Sequence, residues 1–121
     1  MDMSFSSASV WLYHQTDPDA ATAILASQRM LRGSSGLVGG GIYFADSRNA
    51  TQLKAHAKGW VIEARVVLGK QLVVQHQLFG LTGSEVAARG YDSVRVDGRK
   101  SGVEYVIYDW KKASLLSVYP A

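Results

Sequence analysis

The sequence predicts an α+β fold built on a mostly antiparallel sheet, and three observations lead there. Short runs rich in β-branched and aromatic residues outnumber the helical stretches. The helix signals fall mainly in the first half of the chain, and strands and helices do not alternate in the regular way that βαβ units require. With 121 residues, 47% hydrophobic and 19% charged, the chain suits one domain around one core.

Residues 1–9 are serine-rich, short and without a basic stretch before an apolar run, so they read as a frayed tail rather than a signal peptide. Residues 10–121 form the single domain. Val10-Trp11-Leu12-Tyr13-His14 reads as the first strand, with His14 at its end. Thr16-Asp17-Pro18-Asp19 is a helix start, with a capping oxygen, a proline in the first turn and early acidic charge. Ala20, Ala21, Ile24 and Leu25 then follow at helical spacing, which predicts a helix to about Gln28.

Residues 29–41 carry five glycines and two serines without periodicity, and a loop of that length is usually functional. Ile42 to Ala45 reads as a short strand. A second helix is expected over 47–58, capped by Asp46 or Ser47 and stopped by Gly59. Trp60 to Leu68 is apolar or β-branched on both faces, the mark of a central strand, and Leu72-Val73-Val74 continues as another after Gly69-Lys70. Thr82-Gly83-Ser84-Glu85 has the pattern of a capping box for a short helix over 83–89. Tyr91 to Val96, Val103 to Tyr108 and Leu115 to Tyr119 read as the last three strands.

Composition excludes several classes of chemistry. Without cysteine there is no disulfide framework, thiolate metal site or cysteine nucleophile. No pair among the three histidines has metal-ligand spacing, so no metal is expected. Nucleophile elbow, P-loop and Rossmann patterns are missing, and Gly36 to Gly41 leads into a strand rather than a helix. The net charge of +3 is mild and the cations are scattered, with only Arg99-Lys100 and Lys111-Lys112 adjacent. That balance favours an anionic or phosphorylated ligand without marking a nucleic-acid patch. No apolar run is long enough to span a membrane, which makes the cytosol, or the nucleus, the expected compartment and a monomer the expected state.

Three places carry the chemistry. Gly39-Gly40-Gly41-Ile42-Tyr43-Phe44-Ala45-Asp46 runs from a glycine loop into a short strand, so a planar ligand could meet Tyr43 beside an open backbone. The plainer reading is a turn feeding a core strand. Glu104 shares a face with Val106 and Tyr108, while Val103, Tyr105 and Ile107 make the other face apolar too. A carboxylate among hydrophobes is destabilising unless paired or used; the alternative is a solvated side chain at the strand end. His14 stands just before a helix start, where free N–H groups favour anions, or is a packed histidine with no ligand.

Taken in chain order, His14, the stretch Gly41-Ile42-Tyr43-Phe44-Ala45 and the stretch Glu104-Tyr105-Val106-Ile107-Tyr108-Asp109 strongly resemble the His-Tyr-Glu catalytic domain of the poly(ADP-ribose) polymerase family of ADP-ribosyltransferases. Gly90 to Val94 and Val67 to Lys70 also look like family segments, and the resemblance covers Trp11 to Tyr119. It implies a split, mostly antiparallel sheet with short flanking helices and NAD, as co-substrate, in the cleft. It casts His14 as the anchor of the adenosine ribose, Tyr43 as the nicotinamide wall and Glu104 as the group on the nicotinamide ribose that stabilises developing positive charge. Carried onto this sequence, it gives His14, Gln15, Thr16, Arg32, Gly41, Tyr43, Thr51 and Lys54 as the NAD-binding residues.

The chain departs from the family pattern at three points. Gln15 replaces a glycine whose backbone contacts the nicotinamide amide, so its side chain must point away. Lys54 stands where a second stacking tyrosine is expected, and Thr51 where a serine bonds the amide. The loop from Arg32 to Gly40 is short, which implies open access and a shallow cleft. The implied activity is transfer of ADP-ribose to a macromolecular acceptor, protein ahead of nucleic acid. The little surface the chain offers a growing polymer favours single units, although the retained Glu104 leaves polymer formation open. The alternatives are an NAD- or ADP-ribose-binding module without turnover, and an NAD glycohydrolase.

Overall fold

Among the described residues, seven strands make one sheet in the order β4-β5-β6-β2-β1-β3-β7, antiparallel except for the pair β4 and β5. The strands are β1 (Ser9–Thr16), β2 (Ile42–Ala45), β3 (Trp60–Val67), β4 (Gln71–Val74), β5 (Ser93–Val96), β6 (Glu104–Ile107) and β7 (Ala113–Pro120). The helices are α1 (Pro18–Ser27), α2 (Arg48–Lys54) and α3 (Gly83–Ala88), with a 3₁₀ turn at Trp110–Lys112. This computed structural model describes residues 9–33, 36–54, 58–78 and 80–121, with the side chains of Lys54 and Leu115 outside the description. The α+β class and the mostly antiparallel sheet are as the sequence predicts.

The sheet has a seam. β1 pairs with β3 along its whole length, from Ser9↔Val67 to Thr16↔Trp60, whereas β1 and β2 share the single register pair Tyr13↔Ala45. On the other side, β2 pairs fully with β6, from Ile42↔Ile107 to Ala45↔Glu104. One half is therefore β1-β3-β7, and the other is β4-β5-β6-β2. Two apolar clusters lie along the sheet, and the first of them spans the seam. Leu12, Ile62, Ala64 and Val66 of the first join Phe44 and Ile107 near the seam, while Val94, Val96 and Val106 gather Val38, Leu81 and Val86 in the second.

Local chemistry explains the helix ends. The Asp17 side chain accepts the Ala20 N–H at 2.8 Å, and Pro18 takes the first helical position, where no N–H is needed. Gln28 closes α1 in the left-handed region at φ 57°, its N–H returning to the Ile24 carbonyl at 2.7 Å. Thr82 caps α3 by accepting the Glu85 N–H at 3.2 Å.

Several boundaries differ from the sequence reading. β1 does not end at His14: its ladder with β3 continues through His14↔Ile62 and Gln15↔Val61 to Thr16. β1 starts at Ser9, so the expected tail is shortened by one residue, and residues 1–8 lie outside the description. Lys58 is not helical, and the expected run of α2 through His56 falls on residues outside the description. β5 starts at Ser93, not Tyr91, because the Tyr91 N–H instead bonds back to the Val86 carbonyl of α3 at 3.0 Å.

Candidate active site

The seam opens into a cleft of about 1100 Å³. His14, Gln15, Thr16, Gly41, Tyr43, Thr51 and Glu104 all line it. His14, Tyr43 and Glu104 come from three neighbouring strands, β1, β2 and β6, in that order across the sheet. The registers Tyr13↔Ala45 and Ala45↔Glu104 make one row that contains Glu104, with His14 one residue and Tyr43 two residues away from it. Residues separated by up to 90 positions in the chain thus face one space because β2 sits between the other two strands.

His14 spans the place where the β1–β2 ladder stops. Its Nδ1 lies 2.7 Å from the Tyr43 carbonyl oxygen. A carbonyl can only accept, so Nδ1 carries the proton and Nε2 of the neutral ring presents a lone pair. Burial lowers the His14 pKa below the ordinary 6.5, and the bond to Tyr43 only partly opposes this. The ring also meets Phe44 edge-on, with centroids 6.2 Å apart. The seam is thus bridged by a side chain that is neutral at pH 7 and has one free acceptor.

Tyr43 is fixed by its hydroxyl. It donates to the Gly39 carbonyl at 2.6 Å and accepts the Val38 N–H at 2.9 Å. Burial raises its pKa, the Val38 N–H opposes the rise, and the negative charge of Glu104 adds to it. With both polar functions of the hydroxyl taken up by the loop, the aromatic ring is what Tyr43 offers to the cleft. Gly41 has no room for a side chain, since a Cβ there would meet Val106 Cγ1 at 2.6 Å and the Ile107 carbonyl at 3.0 Å.

Glu104 opens β6 and is only 8% exposed. Val106 and Ile107 of the same strand are fully buried, so the carboxylate enters the cleft from an apolar strand rather than from a solvated end. Among the described residues, the cations on the cleft wall are Arg29 and Arg99. The Arg29 guanidinium is already occupied, 4.7 Å from the centre of the Trp110 ring. Arg99 is exposed on the turn that leads into β6.

No protein-family model matches this chain, and no curated protein gives a significant match. The functional reading therefore rests on residues and geometry.

Two of the positions noted in the sequence, Gln15 and Thr51, belong to one network. The Gln15 side chain donates from Nε2 to Thr51 Oγ1 at 2.9 Å, and its Oε1 accepts the Gly59 N–H at 3.2 Å. Thr51 in turn donates its hydroxyl proton to the Arg48 carbonyl at 2.6 Å. Gln15 and Thr51 are 4% and 2% exposed, so this is a buried brace joining β1, α2 and the turn before β3. A threonine committed in this way can offer a ligand a lone pair and no proton. Arg32 is not brought to the cleft; it lines a second, smaller depression of about 450 Å³ with Tyr91, Tyr108 and Lys112. The Lys54 side chain falls outside the description.

Sequence reasoning passed over Arg29, Arg99 and Tyr108. The adjacency of Arg99 to Lys100, five residues before Glu104, was a usable signal. Tyr108 gave none, because its hydroxyl partner is Val38, 70 residues away. Among the described residues no three histidine, aspartate or glutamate side chains group to hold a metal ion, and no helix is long and apolar enough to cross a membrane.

Proposed function

We propose that the protein is an NAD-dependent ADP-ribosyltransferase that moves single ADP-ribose units to a macromolecular acceptor, protein rather than nucleic acid. The observation that carries the proposal is the convergence of His14, Tyr43 and Glu104 from three adjacent strands on one cleft at the seam of the sheet. The donor set suits the dinucleotide. A neutral imidazole acceptor matches a ribose hydroxyl, an aromatic wall matches a pyridinium ring, and a cleft of about 1100 Å³ accommodates a ligand larger than a mononucleotide. In this reading the split sheet is that of the ADP-ribosyltransferase fold, and Gln15, Thr16 and Gly41 line the nicotinamide end.

NAD supplies an activated glycosidic bond, whose electron pair returns to the pyridinium ring so that nicotinamide leaves as a neutral molecule. No general acid is then required, and one carboxylate does what a glycosidase divides between two. Glu104 accepts a hydrogen bond from a ribose hydroxyl and holds negative charge beside the positive charge that develops on the sugar. In a poorly hydrated cleft such fixed charge is worth much more than in water. His14 Nε2 anchors the adenosine ribose, and Tyr43 keeps the leaving ring in plane. The acceptor oxygen, nitrogen or sulfur bonds to the freed anomeric carbon and gives up its proton to solvent.

Incubation with NAD labelled in the adenylate, followed by product separation, tests the proposal. Label should appear on a macromolecule, with nicotinamide released in equal amount. Glu104→Ala should lower the rate roughly 100- to 1000-fold, the range for loss of a preorganised charge-stabilising group. Equal rates for the variant and the parent would sink the mechanism. Free ADP-ribose as the sole product would make the protein a glycohydrolase, and binding without nicotinamide release would make it a binding module.

A further inference from the structure

We infer that Tyr108 is a positioning residue of this cleft, acting through the Val38 peptide on Tyr43. Tyr108 does not line the cleft; its ring lies on the other side of the wall, in the smaller depression. Its hydroxyl crosses to the glycine loop and donates to the Val38 carbonyl at 2.7 Å. The N–H of the same Val38 donates to the Tyr43 hydroxyl at 2.9 Å, and that hydroxyl donates onward to the Gly39 carbonyl at 2.6 Å. One residue of the loop is therefore held at both ends by tyrosines from two neighbouring strands, β6 being continued by Tyr108 and β2 carrying Tyr43.

The packing around Tyr108 is specific to this arrangement. A Cβ at Gly41 would approach Tyr108 Cε1 to 3.1 Å, and one at Gly83 would approach Tyr108 Cβ to 2.8 Å. The two glycines leave a slot of one ring's width, so Tyr108 has little choice of position. Val38 itself is fully buried. The bond therefore sits in low dielectric, where hydrogen bonds in a chain reinforce one another and a missing partner is felt fully. Loss of the Tyr108 hydroxyl would leave the Val38 carbonyl unsatisfied and free the loop to shift, and with it the hydroxyl anchor of Tyr43.

The consequence for ligand binding rests on the proposed function, whereas the mechanical coupling does not. Tyr108→Phe keeps the ring and removes only the bond. With that variant, NAD affinity should fall roughly three- to tenfold, the reach of one lost hydrogen bond. Tyr43→Phe should weaken binding too, and the double variant should be no worse than Tyr43→Phe alone, since both act through one peptide. Multiplicative losses would mean that Tyr108 does not act through Tyr43, and would overturn the assignment. Amide hydrogen exchange supplies a readout that needs no NAD. In Tyr108→Phe, exchange at Val38 and Gly39 should quicken several-fold while Tyr105 to Ile107 keep their rates. Unchanged loop exchange, or equal acceleration throughout the sheet, would reduce Tyr108 to a packing residue. If the parent protein binds no NAD, the proposed function falls, and the exchange rates alone then decide the role of Tyr108.

Discussion

At the scale of the residue, the proposed function makes NAD binding depend on pH through His14. Its lone pair at Nε2 exists only in the neutral ring, and burial lowers its pKa from the ordinary 6.5. NAD affinity should thus be level above pH 6.5 and fall as acidification passes through the lowered pKa, a midpoint that NAD titrations between pH 4.5 and 8 would locate. The same shift has a stability side. The unfolded chain takes up a proton at His14 near pH 6.5 and the folded one resists it, so folding stability falls with acid over the interval beneath 6.5. An acid-side loss of affinity that persists in His14→Gln would assign the effect to another group. That His14, Tyr43 and Glu104 face one cleft was foreshadowed by their order in the chain, read through the family resemblance, and by the apolar company of Glu104. The commitment of Thr51 to Gln15 and Arg48 was not, because side-chain rotamers of a buried network follow from packing rather than sequence.

At the scale of the element, the glycine loop before β2 is held more tightly than its composition suggests. Gly39 sits at φ +85°, where a side chain is strained, and a Cβ there would run into the Leu81 carbonyl. Gly39→Ala should lower stability by about 2 kcal/mol or more, read in a urea melt, and weaken NAD binding in the protein that remains folded. An alanine variant with parental stability would show that the loop relaxes freely. From the sequence this segment read as a loop without structure of its own. In the fold, the Gly33 N–H bonds the Gly41 carbonyl at 3.0 Å and the Leu78 N–H bonds the Leu37 carbonyl at 2.7 Å, contacts that glycine content could not announce. The helix starts marked by Asp17 and Thr82 were legible, whereas the ends of β1 and β5 follow from pairings and loop bonds that no local pattern marks.

At the scale of the whole molecule, the seam joins two half-sheets by one register pair, and a ligand lying across it would touch both. A dinucleotide bound only by the folded state stabilises it by mass action, about 2.7 kcal/mol at a hundredfold excess over Kd. The melting temperature should therefore climb steadily with NAD concentration, and an invariant melting temperature would argue that NAD does not enter this cleft. The fold class was accessible from the balance of strands and helices. The order of strands in the sheet was not, because pairing between distant segments leaves no local pattern.

That strand order has a consequence for how the chain reaches its native state. Neither half-sheet is a continuous piece: β1, β3 and β7 draw on residues 9–16, 60–67 and 113–120, with most of the other half threaded between them. The outer partner of β3 is the last strand, so a chain made from its N-terminal end shows β3 with an open, apolar edge until β7 exists. Nearly all pairings close long loops, which slows folding and lengthens the time for which such an edge can recruit other chains. Folding should therefore be a single late event rather than the joining of two finished halves, and concentration during refolding will decide the yield.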